Sequence, residues 1–172
     1  FHPHYEKMSC KRFLKQYPNL LIVNAFTKFY AMAGLRLGYL MTGDLSLLHA
    51  VAQQLPEWNV SSIAQRAGIS ALQDTEYEKR TRQLIEKERR YLIQEFLKMG
   101  CTVFPSEADY ITFRLPQEKT GFLLKERLLE GKILIRSCAN YRNMPPDCYR
   151  IAVKQHADNE ELVRQVWRIL IQ

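Results

Sequence analysis

The chain has 172 residues, of which 47% are hydrophobic and 25% charged, proportions that fit one globular domain or two small lobes. Its 25 basic and 18 acidic residues give a net charge of +7, which would suit a nucleic-acid partner. However, acidic and basic residues alternate, and no basic run contains interleaved aromatic residues that could stack on bases, so a nucleic-acid partner is a minor alternative. No apolar run approaches the roughly 20 residues of a membrane helix, and no membrane partner is expected. The cysteines form no C-x-x-C pair, which argues against a metal site or a disulfide scaffold and favours a reducing cytoplasm; they are Cys10, Cys101, Cys138 and Cys148.

The first part of the chain reads as strand, loop, strand and two helices. The run "NLLIVN" (19–24) predicts a strand buried on both faces, and "GYLMTG" (38–43) predicts a second strand. Asp44 can cap the next helix, and "SSIAQRAGISAL" (61–72) predicts another. By this pattern residues 1–80 are the end of a parallel α/β sheet. Because two strands are too few for a stable sheet, this lobe is expected to be incomplete.

The second part of the chain predicts a compact α+β lobe over 81–172. One long amphipathic helix over about 75–99 is expected to join it to the first lobe. Strand-like stretches follow in "CTVF", "DYITFRL", "ILIR" and "CYRIAVK", with a helix in "GFLLKERLLEGK". In "CYRIAVK" the alternation places Arg150 on the face opposite to Ile151. A last helix is expected to be capped by Asp158.

The loop "TKFYAMAGLR", which follows the first strand, concentrates reactive groups. A surface lysine is the ordinary interpretation of Lys28, but a lysine at the carboxyl edge of a parallel sheet lies where α/β proteins bind ligands. Thr27 adds a hydroxyl, and Arg36 adds a planar guanidinium suited to a phosphate. Gly34 and Gly38 permit a tight turn that brings Arg36 back toward Lys28. An amine, a hydroxyl and a guanidinium together suit a phosphorylated aldehyde, with which the amine forms an imine.

The segment T-K-F-Y-A-M-A-G-L-R-L-G-Y resembles the cofactor-lysine motif of the fold-type-I pyridoxal-phosphate-dependent aminotransferases, class I/II. It is most similar to the branch that holds threonine-phosphate decarboxylase and histidinol-phosphate aminotransferase. The resemblance implies that Lys28 anchors pyridoxal 5'-phosphate covalently and that Thr27 and Arg36 bind the cofactor's phosphate. Ala25 stands where the family often has Ser, so one phosphate contact is expected to be missing or replaced.

The resemblance extends along the rest of the chain. In "YRIAVK" it implies that Arg150 binds the substrate's α-carboxylate, although the residue alone would be taken for an exposed strand arginine. "ILIRSCANYRNM" resembles the threonine-phosphate decarboxylases, which implies that Arg136 contacts the substrate's anionic end and that Asn140 and Tyr141 line the same pocket. For Arg136 a surface arginine at a strand end is the rival interpretation. The histidinol-phosphate enzymes usually carry a Gly-Thr pair after "R-I-T", and "RIAVKQHAD" lacks it.

The resemblance implies an α/β fold in which only the C-terminal half of the family is represented. Residues 1–80 correspond to the C-terminal part of the large cofactor domain, and 81–172 to the small α+β domain. The family's Gly-rich loop, its ring-stacking aromatic, its Asn and the Asp that pairs with the pyridine nitrogen lie upstream of the lysine and outside this chain. We therefore expect the chain alone to be inactive, and its open sheet edge to be rearranged or covered by a partner.

Three functions stay open for the parent protein, which is expected to be a cytoplasmic homodimer. The first is decarboxylation of a small anionic amino-acid substrate, a phosphate ester, as by the L-threonine-O-3-phosphate decarboxylases of cobalamin biosynthesis. The second is amino transfer from histidinol phosphate or another amino acid. The third is a non-catalytic basic binding module. The first two differ in which bond at Cα is broken, and the sequence alone does not decide between them.

Overall fold

The protein is described by a computed structural model over residues 1, 4–119 and 123–171. Helices and sheets are mixed, which confirms the α/β class. The chain divides into two compact units, of which the first ends at Thr81 and the second begins at Arg82 and also includes Phe1. Within the described ranges, none of the helices has the length and apolar character that a bilayer crossing requires.

The described part of the first unit contains a two-stranded sheet and three complete α-helices. Helix α2 begins after Asp44, whose carboxylate accepts hydrogen bonds from the amides of Ser46 and Leu47, as predicted for a helix cap. Helix α3 begins after Ser61, whose hydroxyl accepts from the Ala64 amide. The elements are α1 (Tyr5–Met8), β1 (Leu21–Ala25), β2 (Gly38–Thr42), α2 (Leu45–Gln54) and α3 (Ser62–Gln73).

The sheet of the first unit corrects one expectation. Strands β1 and β2 pair antiparallel, with Leu21 opposite Thr42 and Ala25 opposite Gly38, so this pair is not parallel. Strand β1 is also mostly exposed, and the Val23 side chain is 72% exposed. An apolar run is buried on both faces only when other elements cover both faces. The described part of this unit supplies two strands and leaves β1 largely uncovered.

One long helix, α4 (Thr75–Lys98), begins in the first unit and continues in the second. It lies close to the 75–99 expected from the periodicity. The Asp74 carboxylate accepts a hydrogen bond of 2.8 Å from the Tyr77 amide and so fixes the first turn. Further along, Leu92 and Phe96 are fully buried, while the charged side chains of the helix are mostly exposed.

The second unit is a four-stranded antiparallel sheet packed with helices. The strand order is β3-β4-β6-β5. Its core includes Phe96 of α4 and Phe113 of β4, whose ring centroids lie 4.3 Å apart, and Val166 of α6. The elements are β3 (Thr102–Val103), β4 (Tyr110–Arg114), α5 (Leu124–Glu130), β5 (Arg136–Ser137), β6 (Cys148–Ala152) and α6 (His156–Ile171).

Two boundaries in this unit differ from the sequence-based expectation. The strand expected in "ILIR" is reduced to Arg136–Ser137. Helix α6 begins at His156, so Asp158 lies in its first turn and is not its cap. There the Asp158 carboxylate lies 3.3 Å from the Lys154 ammonium, and the Asn159 side chain accepts a hydrogen bond from the Lys154 amide. The amide side chain, rather than the carboxylate, therefore bonds to the backbone that leads into the helix.

Candidate functional site

The loop that carries Lys28 is closed by the backbone where the two strands of the first unit end. The Phe26 amide donates a hydrogen bond of 3.0 Å to the Leu37 carbonyl, one step beyond the last paired residues of the sheet. Lys28 and Arg36 consequently lie in the two arms of one closed loop. Inside it, the Ala31 amide donates to the Lys28 carbonyl over 3.1 Å. The two cationic residues predicted from the motif thus share a single, short structural element.

The polar groups of this loop are available to a ligand. Among the residues that the structure describes, neither the Lys28 ammonium nor the Thr27 hydroxyl has a hydrogen-bond partner, and Lys28 is exposed. Arg36 uses Nη1 to donate to the Ala33 carbonyl at 3.1 Å and has no ion-pair partner in the same ranges. An amine, a hydroxyl and most of a guanidinium fork are therefore left open on one loop.

The turn that leads to Arg36 is built differently from the expectation. Arg36 itself adopts the left-handed conformation, with φ 54° and ψ 42°, and Ala31 also has a positive φ of 52°. Gly34 has no positive φ, and a Cβ there would meet no atom within 4 Å, so neither the backbone nor the space at this position requires glycine. Gly38 is required for a different reason: a Cβ there would lie 2.9 Å from the Asn24 carbonyl oxygen. A left-handed arginine is unfavourable by about 1 kcal/mol, and such conformations cluster at functional sites.

Aromatic side chains support the loop, and the sequence reasoning missed them. Tyr30 stacks on the buried Phe26 ring with centroids 5.2 Å apart, and Tyr39 meets Phe26 edge-on at 6.0 Å. Tyr77 stacks on Tyr30 at 6.0 Å, and its hydroxyl donates a hydrogen bond of 3.1 Å to the Phe29 carbonyl. The aromatics of the loop are visible in the sequence, but the pairing with Tyr77 spans 48 residues and leaves no local signal.

The second unit brings the other predicted residues together on its sheet. Arg136 of β5 lies directly opposite Arg150 of β6. The Arg150 guanidinium carbon is 4.8 Å from the centroid of the Tyr110 ring. Arg136 donates from Nη2 to the Asn140 side-chain oxygen at 2.9 Å, and its guanidinium is 5.5 Å from the Tyr141 ring. Arg136, Asn140, Tyr141 and Arg150 therefore form one cluster.

The electrostatics of this cluster suit an anion. Like charges on directly opposed strand positions are destabilising, and neither arginine has a carboxylate partner in the part of the chain that the structure describes. Burial raises the pKa of the neighbouring Cys138 thiol, although the guanidinium groups of Arg150 and Arg136 oppose that shift. The raised pKa disfavours the Cys138 thiolate, so the charge of the cluster comes from its two arginines.

Comparisons with known proteins match nearly the whole chain. A profile of the family described as aminotransferase class I and II matches residues 4–166. The threonine-phosphate decarboxylase of Salmonella typhimurium is 36% identical over 158 residues, which cover 91% of this chain and 43% of that protein. The histidinol-phosphate aminotransferase of Oleidesulfovibrio alaskensis is 33% identical over 91% of this chain and 41% of its own length. The crystal structure of the histidinol-phosphate aminotransferase from Clostridium acetobutylicum superposes with a TM-score of 0.90 and 31% identity, covering 96% of this chain and 50% of that one. The chain thus spans about half or less of these relatives.

Proposed function

Because the chain belongs to the aminotransferase class I and II family, we propose that the complete protein is a pyridoxal-phosphate-dependent enzyme whose cofactor is bound covalently by Lys28. Members of the family use pyridoxal 5'-phosphate. The observation that carries the proposal is the closed loop that holds Lys28, Thr27 and Arg36. Within the described ranges, the Lys28 amine, the Thr27 hydroxyl and all but one of the Arg36 nitrogens have no partner. Such a donor set fits the aldehyde and the phosphate of the cofactor.

Each residue of the loop has a separate task in this proposal. The Lys28 amine would hold the cofactor covalently. Once released by substrate, it would donate the proton that Cα needs after loss of CO2, or accept the Cα proton in the alternative amino transfer. The Thr27 hydroxyl and the Arg36 guanidinium hold the phosphate, for which a guanidinium fork is the preferred partner. When bound, the cofactor supplies an electron sink for the bonds at Cα. The left-handed backbone at Arg36 supports this assignment, because the strain falls on the residue that binds the anion.

The arginine cluster of the second unit has the properties of a substrate-anion site. We assign Arg150 to the substrate's α-carboxylate and Arg136 to its far, phosphorylated end, with Asn140 supporting Arg136 through their hydrogen bond. Two cations on opposed strand positions, neither with a carboxylate partner among the described residues, favour a substrate with two anionic groups. By fixing both ends of the substrate, these residues select which bond at Cα is broken.

The reaction that we favour is decarboxylation of a phosphorylated amino acid such as L-threonine O-3-phosphate. It is supported by the segment around Arg136 and by the 36% identity to a threonine-phosphate decarboxylase. Amino transfer from histidinol phosphate is the second candidate, favoured by the 33% identity to an aminotransferase of that name. The homodimer, the cytoplasmic location and the role in cobalamin biosynthesis belong to the same proposal and stay predictions.

The test is a pair of assays on the complete protein. Release of CO2 from L-threonine O-3-phosphate is compared with keto-acid-dependent amino transfer from histidinol phosphate. We expect CO2 release to predominate, to vanish in Lys28→Ala and to persist in Lys15→Ala, which removes an exposed lysine of the same unit. If amino transfer were observed without CO2 release, the protein would be an aminotransferase and the proposed decarboxylation would be wrong. Absence of both reactions, with no cofactor bound at Lys28, would leave the non-catalytic binding module.

A further inference from the structure

Tyr77 contacts the Lys28 loop from a different element of the first unit. Its hydroxyl donates a hydrogen bond of 3.1 Å to the carbonyl of Phe29, the residue that follows Lys28. Its ring stacks on Tyr30 with an interplanar angle of 20° and meets Phe29 edge-on at 6.5 Å. Helix α4 therefore holds both the backbone and the side chains on the carboxyl side of the lysine.

The position of Tyr77 is itself fixed. Its amide donates to the Asp74 carboxylate, which places the residue in the capped first turn of α4. Its side chain is half-buried. Because its backbone and its ring are already held, the Tyr77 side chain loses little conformational entropy when its hydroxyl forms this hydrogen bond. The bond therefore fixes the orientation of the Phe29 carbonyl.

The loop needs such an external constraint. Between Phe26 and Leu37 it contains one 3-10 turn, over Ala33–Leu35, and is otherwise irregular. The Met32 amide bonds back to the Phe26 carbonyl only at 3.4 Å, and Ala31 has a positive φ. Backbone groups without ladder partners require other partners, and the Phe29 carbonyl finds one in the Tyr77 hydroxyl.

We infer that Tyr77 is a positioning residue: its hydroxyl fixes the backbone that carries Lys28 and thereby the place of the reactive amine. The inference rests on the proposed function of Lys28, and it adds a residue that lies 49 positions along the chain from the lysine. Tyr77 acts through the backbone and has no catalytic role of its own. A purely packing role would involve the ring alone, so the hydroxyl separates the two explanations.

The experiment uses Tyr77→Phe in the complete protein, because this change keeps the ring and removes the hydroxyl. Amide hydrogen exchange at Ala31 and Met32 is measured first and needs no cofactor. We expect it to accelerate roughly 2- to 10-fold, the ratio that corresponds to one hydrogen bond. The matched control is Tyr17→Phe, which removes the hydroxyl of a tyrosine of the same unit that is 49% exposed and should leave both rates unchanged.

The second measurement follows the Lys28 amine. Each variant is mixed with pyridoxal phosphate, the imine is trapped with borohydride, and labelling of Lys28 relative to Lys15 is read by peptide mass mapping over a range of pH. We expect relative labelling of Lys28 to fall roughly 2- to 10-fold in Tyr77→Phe and not in Tyr17→Phe. A brief pulse of acetic anhydride, read at the same two lysines, provides a reactivity measurement that does not depend on the cofactor.

The outcomes distinguish the inference from the proposed function. Unchanged exchange at Ala31 and Met32 in Tyr77→Phe would overturn the inference. Faster exchange with unchanged Lys28 reactivity would overturn it as well, since the hydroxyl would then hold the loop without placing the amine. If pyridoxal phosphate failed to label Lys28 even in the unmodified complete protein, the proposed function would fail, and exchange with the acetic anhydride pulse would still decide the role of Tyr77.

Discussion

Arg136 and Arg150 lie directly opposite each other on adjacent antiparallel strands, and no carboxylate pairs with either one within the described ranges. Opposed like charges weaken a sheet by a few tenths of a kcal/mol to about 1 kcal/mol. Both guanidinium groups also lie near tyrosine rings, Arg150 near Tyr110 and Arg136 near Tyr141, and a ring face attracts a cation. The opposed charge pair is therefore a feature of the second unit that local stability does not explain.

This pairing predicts that phosphate stabilises the second unit. Inorganic phosphate should raise the melting temperature at constant ionic strength, because it binds the folded cluster. Arg136→Gln should weaken phosphate binding by about 1.5–3 kcal/mol, the scale of a charge-assisted hydrogen bond. Thermal unfolding across a phosphate titration measures both effects. Arg168→Gln removes an exposed arginine of the same unit, and an equal loss of the phosphate response in this control would show that only net charge matters.

The buried carboxylate of Glu88 predicts an acid-sensitive core. Glu88 is 1% exposed, accepts a hydrogen bond of 3.1 Å from Asn159 and lies 3.0 Å from the His156 ring nitrogen Nδ1. Burial pushes its pKa upward, but the bonds from Asn159 and His156 outweigh burial and hold the pKa below the ordinary value of 4.5. The folded-state pKa is thus below that of the unfolded chain. Ionised Glu88 contributes stability above pH 4.5, and this contribution is lost as the pH falls through the lowered pKa.

Glu88→Gln tests this reasoning. At neutral pH it should lower the free energy of unfolding by about 1.5–3 kcal/mol, the value for hydrogen bonds to a charged group. The stability lost on acidification should be smaller than in the wild type, as measured by urea unfolding above and below pH 4.5. Glu86→Gln on the same helix removes a more exposed carboxylate that pairs with Arg90 and should change stability by less than about 1 kcal/mol. Identical acid profiles for Glu88→Gln and the wild type would contradict the role of the buried charge.

The cysteines predict a simple pattern of thiol reactivity. Cys10 is exposed and the other three are buried. Burial raises the pKa of Cys101 to about 12 and also raises the pKa values of Cys138 and Cys148, which suppresses the reactive thiolate. A disulfide reagent at mildly alkaline pH should therefore modify one thiol rapidly in the folded chain and all four after unfolding. Cys10→Ser should abolish the rapid phase; a rapid phase that survived would mean that the core of the second unit opens easily.

The exposed β1 strand predicts self-association of the chain on its own. Both strands of a two-stranded sheet are edges, and Val23 presents an apolar side chain that is 72% exposed. We expect the sedimentation coefficient to rise with concentration and Val23→Lys to reduce this rise, because a charge on an edge strand opposes pairing. Gln16→Lys adds the same charge at another exposed position of the unit. If both variants behaved alike, repulsion between like-charged chains would explain the result, and the strand would not.

The sequence predicted most of what depends on local pattern. The cap of α2, the presence of α3, the extent of α4 and the loop between β1 and β2 follow from side-chain chemistry and periodicity. The expectation of a parallel sheet was wrong for β1 and β2, which pair antiparallel. An apolar run indicates how much of a strand could be buried, but it does not indicate the direction in which the strand pairs. Tyr77 was missed because its contact with Phe29 depends on how α4 returns to the loop, which is a property of tertiary packing.

The left-handed backbone at Arg36 has a consequence for how variants at this position would be ranked. Glycine adopts a φ of 54° without strain, and asparagine tolerates it better than arginine does. A mutant library sorted for cellular abundance would therefore enrich Arg36→Gly and Arg36→Asn. The same library sorted for retention of a phosphorylated ligand would discard both and keep arginine. Two selections that usually agree would thus disagree at this codon, and the size of their disagreement would measure how strongly ligand binding, as opposed to folding, has retained the residue.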